Sequence, residues 1–441
     1  MATILARPKS WPAVLLGRAG TYDPDGTLAA AEAKGAWGPW KTAVHQAPQA
    51  IVSAVDQAGL RGRGGAGFPT ADKWRAVRAH DELPRYAIGH GYEADPGTVA
   101  DRTLMEADPH AVLEGLALAA LAVGAERAFL VLRADATLAR RRLQKALDGA
   151  LGAGYLGVDV LGSGVTVEIE MRPLEGGFVV GEETALLRAL EGKRGMPDQR
   201  PPYPAERGLF GAPTAINNVA TLASVPWILT NGAPAFRALG APGFPGTMLV
   251  QLAGAVKRPG VAEVPTGTPL ATIVDKVGGG ATGTFKAILV GGPSGGFLPA
   301  DGLATALLPA DLEAAGAIVG SGSLLLLDQS ACIVELATLM ERFMNDESCG
   351  KCIPCRIGTR RLAEIGDRFM SGRPRPTDTA LLVDLAADVR DGSLCGHGIS
   401  APNPLTSGMR YFRAEFDDHI VRGRCPAGVC TPLRVAAGAA R

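Results

Sequence analysis

No cysteine precedes Cys332 in this chain of 441 residues, and the seven that begin there are odd in number and clustered. Such a set is a poor disulfide framework for a long chain. An excess of either charge is also missing. Lys and Arg number 44 and Asp and Glu 44, so bulk electrostatics point neither to nucleic acid nor to an anionic membrane. No apolar run is long and clean enough to span a bilayer. The longest uncharged stretch, Gly208 to Phe236, contains Pro213, Asn217, Asn218, Pro226, Asn231 and Gly232, too many polar and helix-breaking residues for a lipid-exposed helix. The opening MATILARPKSWPAVLL has no uninterrupted apolar core before a small-residue cleavage site, so no secretion signal is read. A cytoplasmic location is expected, either free or on the cytoplasmic face of a membrane-bound complex.

Glycine and proline, by contrast, are abundant. At 58 and 32 residues they make about a fifth of the chain, below the roughly 25–30% of low-complexity disorder. A folded protein with an unusual demand for special backbone geometry is the consequence. Its length exceeds what one core organises, so two or three domains are expected.

The strongest local signal is the cysteine set. Cys349, Cys352 and Cys355 form C-x2-C-x2-C in ESCGKCIPCRIGTRR, and Cys395 follows in GSLCGHG. Short turns let three sulfurs converge, and a distant fourth closes the site. Four thiolates suit a [4Fe–4S] cluster or tetrahedral zinc, and the compact triplet favours iron–sulfur. His397 is an alternative ligand, read here as a neighbouring loop histidine. Apolar residues Ile333, Leu336, Ala337, Met340, Phe343 and Met344 recur at helical spacing, with further helical stretches at 362–370, 381–389 and 409–420. These predict a small bundle carrying the cluster at its end. Cys425 and Cys430, in RCPAGVC, cannot hold a cluster by themselves. A structural pair, a redox pair, a contribution to a partner's site and two plain thiols all remain open. Cys332 reads as a small core residue.

A second signal is GLRGRGGAGFPTADKW at 59–74. Gly62, Gly64 and Gly67 satisfy G-x-G-x-x-G, but the preceding Ile51, Val52 and Val55 have helical spacing. The strand that a dinucleotide fingerprint requires is therefore missing. What survives is a loop whose backbone N–H groups can approach a phosphate or a flat ring closely, with Arg63 and Lys73 supplying positive charge.

Together with GEETALLRALEGKRG (181–195), PPYPAERGLFGAPTAINNVAT (201–221) and ESCGKCIPCR (347–356), this loop closely resembles the flavoprotein (51 kDa-type, NADH-binding) subunit of respiratory complex I. Its soluble relatives, the diaphorase β subunits of NAD-dependent formate dehydrogenases and hydrogenases, share the same ordered motifs. The resemblance runs from about residue 45 to the C-terminal cysteines. It implies an α/β fold with a Rossmann-like FMN/NAD(H) domain, then a small ubiquitin-like β-grasp (SLBB-type) domain, then a helical bundle carrying a [4Fe–4S] cluster. The implied boundaries are an N-terminal arm at 1–45, an FMN/NAD(H) domain at 46–242, a β-grasp domain at 243–328 and a helical iron–sulfur domain with its tail at 329–441. By resemblance FMN is held by Gly62, Arg63, Gly64, Gly65, Ala66, Lys73, Gly181, Glu182, Glu183, Asn217, Asn218 and Thr221. Phe68, Asp95 and Tyr203 meet NAD(H), and Cys349, Cys352, Cys355 and Cys395 hold the cluster.

The implied activity is that of an NADH:acceptor oxidoreductase, a diaphorase subunit. Hydride passes between NAD(H) and FMN, and single electrons pass through the cluster. Glu182 and Glu183 position and tune, and no side chain serves as a general base. Iron–sulfur partner subunits, a small [2Fe–2S] subunit or a large catalytic one, are implied within a formate dehydrogenase-, hydrogenase- or complex I-like assembly. The family's N-A-D-E-x-E-P-G stretch reads His90, Gly91, Tyr92, Glu93, Ala94, Asp95, Pro96, Gly97 here. A flavin-contacting Asn and Asp are thus replaced by His90 and Tyr92, a nucleotide-contacting Glu is shortened to Asp95, and an aromatic near Ala76 is gone. The alternative reading is a divergent paralogue that keeps the cluster, and FMN with it or not, as a relay or scaffold without NAD(H) turnover.

Overall fold

The segments YAIGHG, RAFLVLR, EIEMRPL and TAINN become four parallel strands: β1 (Tyr86–Gly91), β2 (Arg127–Arg133), β3 (Glu168–Leu174) and β4 (Thr214–Asn218). This computed structural model describes residues 2–81, 83–431 and 433. The last residues of the expected 329–441 segment lie outside them. Sheet order is β3-β2-β1-β4. The chain therefore winds outward from β1 to β3 and then returns to lay β4 on the other side of β1. At such a reversal the connections leave in opposite directions and a crevice opens at the carboxyl ends of the strands. Register sets Gly89 beside Asn217 and His90 beside Asn218 at that end.

The helix Pro109–Val123 is buried along its whole length, as an all-round apolar sequence requires. It packs on the helix Val219–Asn231 so closely that a Cβ at Gly115 would lie 2.1 Å from the Leu222 carbonyl oxygen. Only glycine permits that approach. The glycine loop runs between the helices Pro48–Ala58 and Thr70–Arg78, with no strand before it, in agreement with its sequence pattern.

A two-stranded ribbon, β5 (Gly240–Ala241) and β6 (Phe244–Pro245), leads into a mixed sheet. Its strands are β7 (Thr247–Gly254), β8 (Gly260–Pro265), β9 (Phe285–Val290), β10 (Gly296–Leu298) and β11 (Ser323–Asp328), ordered β10-β9-β11-β7-β8. β11 runs parallel to β7 and the other pairs are antiparallel. A short helix, Leu270–Thr272, continued by the turn Ile273–Val277, covers one face through Leu270, Ile273, Val274 and Val277. This is the expected β-grasp arrangement.

Residues 3–5 extend this sheet: Val261 N–H donates to the Thr3 carbonyl at 2.9 Å, and Leu5 N–H donates to that of Val261 at 2.8 Å. Farther on, the Glu263 carboxylate accepts the backbone N–H groups of Val14, Leu15 and Leu16 at 2.7–2.9 Å and the Thr247 hydroxyl at 2.6 Å. Trp37 and Trp40 are fully buried, and their backbone N–H groups donate to Glu114 at 2.9 and 3.2 Å. The opening segment is thus packed against both the β-grasp sheet and the buried helix Pro109–Val123.

The remaining helices are Ile333–Asp346, Ile353–Met370, Asp378–Gly392, Gly396–Ser400, Asn403–Tyr411 and Arg413–Ile420. Two details differ from the sequence pattern. The helical stretch 409–420 is broken at Phe412 (φ −122°, ψ 37°), which turns Glu415, Phe416 and His419 inward. On Ile333–Asp346 the buried face includes Val334, Thr338 and Glu341, with Leu336 and Met340 only half-buried. Close crossing is the reason: a Cβ on Gly366 would meet the Thr338 hydroxyl at 2.8 Å, so the facing position takes a small polar residue. The Thr338 hydroxyl donates to the Val334 carbonyl at 2.7 Å. No helix among the described residues is long and apolar enough to cross a membrane.

Glu263→Gln should cost about 1–3 kcal/mol of stability, because an amide cannot accept from every N–H that the carboxylate serves. Urea unfolding measures the loss, and hydrogen exchange should show faster exchange at Val14, Leu15 and Leu16.

Candidate functional site

The crevice between β1 and β4 gathers the residues singled out in sequence. Gly64 lies against Asn218, where a Cβ would come within 3.1 Å of the Asn218 Cβ. Gly65 and Gly67 have φ of 109° and 63°, backbone that other residues rarely adopt. Gly62 N–H donates to the Phe68 carbonyl at 2.9 Å, closing the loop. Arg63 N–H donates to the Thr221 hydroxyl at 2.8 Å, tying the loop to the helix that follows β4. Ala66, at the tip, is exposed.

Lys73 reaches across the crevice. Its ammonium donates to the Ile216 carbonyl at 2.9 Å and lies 3.5 Å from Glu183. Glu183 also pairs with Arg200 at 2.9 Å. Asn217 accepts from the buried Trp74 indole at 2.8 Å. Asn218 donates to Asp101 and accepts from Ala220 N–H, capping the helix Val219–Asn231. Gly181 meets β1 through its carbonyl, 2.9 Å from His90 Nε2. Burial holds the His90 ring below its usual pKa, so the neutral imidazole donates from Nε2. One sequence-predicted contact is engaged elsewhere: Glu182 caps the helix Glu183–Leu190, accepting from Thr184 N–H and Ala185 N–H at 2.9 Å each.

The stretch after β1 divides its side chains between core and crevice. Tyr92, expected at a flavin-contacting position, is fully buried in the core with Phe129, Val180 and Leu187. Asp95 accepts from Gly97 N–H at 2.9 Å and from the Thr98 and Ser321 hydroxyls, which clamps it to the loop before β11. Phe68 and Tyr203 are 53% and 52% exposed, so both aromatic faces are free to meet a planar ligand.

A carboxyl pair escaped the sequence reading. Glu93 accepts Asp101 N–H at 2.8 Å and Arg102 N–H at 3.0 Å, while the Asp101 carboxyl is bonded by Asn218. Burial pushes both carboxyls well above their usual range, and repulsion from Asp101 raises Glu93 further. At neutral pH the pair retains a proton beside Asn218. The signal was available in E-A-D followed by A-D-R, but the eight-residue separation concealed the contact.

Does the crevice suit an anionic flavin? Arg63 answers on its own chemistry. Its guanidinium is buried, its Nη2 donates to the Pro245 carbonyl and it stacks on Phe244 at 4.7 Å. Nε and Nη1 have no acceptor among the described residues, and burial lowers its pKa to about 9. A buried cation with open donors suits an anionic ligand, and the glycine cradle admits a flat one.

The cysteine set comes together as its spacing predicts. Cys352 precedes the helix Ile353–Met370, Cys355 lies in its first turn and Cys395 precedes the helix Gly396–Ser400. Cys349, Cys352 and Cys395 all lie near enough to raise the Cys355 thiol electrostatically. Burial is the larger cause, pushing Cys355 to about 12 and Cys395 to about 11. The N–H groups of His397 and Gly398 favour the Cys395 thiolate, and the four sulfurs converge at two helix starts. This donor set fits an iron–sulfur cluster. The His397 Nε2 is 2.7 Å from the Met344 carbonyl, to which it donates, so that nitrogen is not free to bind metal.

The cluster loop is docked on the flavin side of the molecule. Arg194 donates to the Cys349 carbonyl at 3.0 Å, and Lys351 pairs with Asp198 at 3.0 Å. Phe178 N–H donates to Glu347 at 2.7 Å, and the Phe178 ring stands edge-on to Phe343 at 5.4 Å.

Three family models match the chain in order. They are the Nuo51 FMN-binding domain at residues 55–227, the SLBB domain at 249–298 and the NADH-ubiquinone oxidoreductase-F iron-sulfur binding region at 335–419. The chain is 42% identical to the NADP-reducing hydrogenase subunit HndC of Solidesulfovibrio fructosivorans, over 88% of this chain and 79% of that one. It is 40% identical to an NADH-quinone oxidoreductase subunit of Rhizobium meliloti, over 91% and 97%. A subunit of an NAD+-reducing [NiFe]-hydrogenase in its H2-reduced state superposes with a TM-score of 0.81 at 35% identity, over 95% of this chain and 68% of that one. With crevice, β-grasp sheet and cysteine bundle in one order, the chain belongs to the family of FMN- and [4Fe–4S]-dependent NADH oxidoreductase flavoprotein subunits that occurs in complex I and NAD-reducing hydrogenases.

Proposed function

We propose that this chain is the electron-entry subunit of a multisubunit redox assembly, exchanging hydride with NAD(H) and passing electrons singly to a partner. The observation that carries this reading is the docking of the cysteine loop on residues 194–198, which sets the cluster region against the flavin side. FMN, when bound, exchanges electron pairs with NAD(H) and single electrons with the cluster. Gly62, Arg63, Gly64, Gly65, Ala66 and Lys73 cradle it from one side. Gly181, Glu182, Glu183, Asn217, Asn218 and Thr221 bound it from the other. Glu182 acts through the helix it caps, and Glu183 acts through its ion pairs with Lys73 and Arg200. Phe68 and Tyr203 offer their exposed rings to the adenine of NAD(H). Cys349, Cys352, Cys355 and Cys395 hold the cluster.

In this reading the Glu93–Asp101 pair keeps a proton beside Asn218, so the crevice does not gain a second fixed negative charge. Functional units follow the boundaries 1–45, 46–242, 243–328 and 329–441. The immediate partner is an iron–sulfur subunit, either a small [2Fe–2S] chain or a large catalytic one, and the assembly works in the cytoplasm or on its membrane face.

One observation favours a second reading, an electron relay without NAD(H) turnover. Asp95 is occupied by Gly97, Thr98 and Ser321 and is not free to receive a nucleotide. Anaerobic NADH added to protein of known flavin and iron content separates the two. Bleaching of the flavin absorption and turnover with an artificial acceptor are expected. Full flavin and iron with no bleaching would leave the relay reading.

Two substitutions probe the crevice. Lys73→Met removes a charged donor and should weaken FMN retention about tenfold or more, since charge-assisted bonds contribute about 1.5–3 kcal/mol; flavin fluorescence on dilution reads this. Asp101→Asn tests the carboxyl pair through pH. The folded protein holds Asp101 above its unfolded pKa, so the wild type loses stability as pH rises from the unfolded value through the folded one. The variant should therefore gain on wild type as pH rises from about 4 to 8, by about 1 kcal/mol or more over that span, as measured by urea unfolding at both ends of it.

A further inference from the structure

The three cysteines left over by the cluster do not stay apart in the fold. Cys332 stands at the start of the helix Ile333–Asp346, and Cys425 and Cys430 lie in the turn after the last helix. They meet at His419, on the segment turned inward by the break at Phe412. His419 Nε2 lies 3.5 Å from Cys332 Sγ and 3.4 Å from Cys430 Sγ, and the two sulfurs are 3.6 Å apart. With Cys425 Sγ, the four atoms all lie within 4.8 Å of one another.

We propose that Cys332, His419, Cys425 and Cys430 bind one zinc ion, separate from the iron–sulfur cluster, which fastens the C-terminal segment to the helical bundle. Size is the first argument. Tetrahedral zinc with Zn–S near 2.3 Å and Zn–N near 2.0–2.1 Å puts sulfur edges near 3.8 Å and sulfur–nitrogen edges near 3.6 Å. The three separations among Cys332 Sγ, Cys430 Sγ and His419 Nε2 are within about 0.2 Å of those, and Cys425 Sγ lies within 4.8 Å of all three. A cluster of several irons would hold its ligands farther apart, and a disulfide would bring two sulfurs to about 2.05 Å and leave His419 and the third thiol without a role.

The surroundings are the second argument. His419 Nδ1 lies 2.9 Å from the Glu415 carbonyl. Nδ1–H donates there, which leaves the Nε2 lone pair aimed at the sulfurs, the tautomer a metal-binding imidazole needs. The Glu335 N–H donates to Cys332 Sγ at 3.4 Å, and a sulfur at a helix N-terminus is favoured as thiolate. Glu415 itself is held by Lys286 at 2.8 Å and by Ile333 N–H at 3.0 Å, so the element presenting His419 is fixed from the β-grasp side as well. Cys332, Cys430 and His419 are buried and Cys425 half-buried. All four positions of a tetrahedron are taken by protein, which is the form of a structural site. Three thiolates and an imidazole favour zinc over calcium or magnesium.

The test is metal analysis of the purified full chain carrying its flavin and iron. Close to one zinc per chain is expected, with X-ray absorption at the zinc edge showing three sulfurs and one nitrogen. His419→Cys should keep zinc and convert that shell to sulfur alone. Cys425→Ser combined with Cys430→Ser should lose zinc while keeping iron and flavin, and trypsin should then cut at Arg422 or Arg424 roughly tenfold faster as the segment opens. Zinc-free protein with full iron and flavin overturns the proposal, as does iron at this site, a Cys332–Cys430 disulfide found by mass spectrometry, or zinc that survives the double substitution.

Discussion

The pairing of β4 with β1 is the constraint on which the site depends. β1 already has β2 on one edge, and the chain has travelled on to β3 before β4 returns to the free edge. Because the strands are parallel, this return places Asn217 and Asn218 level with Gly89 and His90. Every other crevice contact is built on that level. The glycine loop can lie against Asn218 only because Gly64 has no side chain, and Lys73 finds the Ile216 carbonyl on β4, the edge strand of the sheet. Gly115 serves the same end from beneath, by letting the two helices under the strands close to backbone contact. A one-residue slip in the pairing would turn each of these side chains to the opposite face of the sheet.

The three parts of the chain share apolar clusters and are also pinned to one another by single buried or half-buried polar groups. Asp95 grips Ser321, the Arg63 guanidinium reaches the Pro245 carbonyl, Glu347 takes the Phe178 N–H, and Lys351 meets Asp198. Polar bonds of this kind are weak sources of net stability but strong sources of geometry, since a buried group left without its partner is costly. An electron-transfer subunit has use for that property. Its cofactors must be held at fixed separation while the nucleotide comes and goes. The departures from the family pattern fit the same logic. His90 bonds the Gly181 carbonyl, and Tyr92 fills the core beside Val180, so both substitutions fasten the strand end to the 177–183 turn.

Much of this architecture was legible in the sequence, and the reasons differ by element. The cysteine triplet was readable because its ligands are neighbours in the chain, and only Cys395 had to be drawn from a distance. The glycine loop was readable as something other than a dinucleotide fingerprint because Ile51, Val52 and Val55 announce a helix. By contrast, the buried face of Ile333–Asp346 was read only in part: Ile333, Ala337 and Met344 are buried as their spacing predicts, but Leu336 and Met340 are half-buried while the close crossing at Gly366 admits Thr338. The break at Phe412 has no proline or glycine to mark it. Asp95 also bonds the Ser321 hydroxyl, a contact that nothing in a linear sequence shows, because Ser321 folds back from far along the chain to meet it. Glu93 and Asp101 went unnoticed for the same reason.

The two cysteine groups show how one residue type serves opposite ends under different geometry. Cys352, Cys355 and Cys395 stand at or just inside helix starts, facing the flavin side through a loop that is itself bonded to residues 194–198. Sulfurs there come from two chain segments, 349–355 and 395. Cys332, Cys425 and Cys430 crowd around a single imidazole at the other end of the same bundle, where the last helix turns back on the first. A redox centre needs to sit at an interface, because electrons must leave the chain. A fastening needs to sit where a loop would otherwise open, which is where chain entropy works hardest against order. The bundle is short enough that both demands fall on the same helices. Ile333–Asp346 begins at the one cysteine group and ends at the approach to the other, so its length is set by what lies at each end.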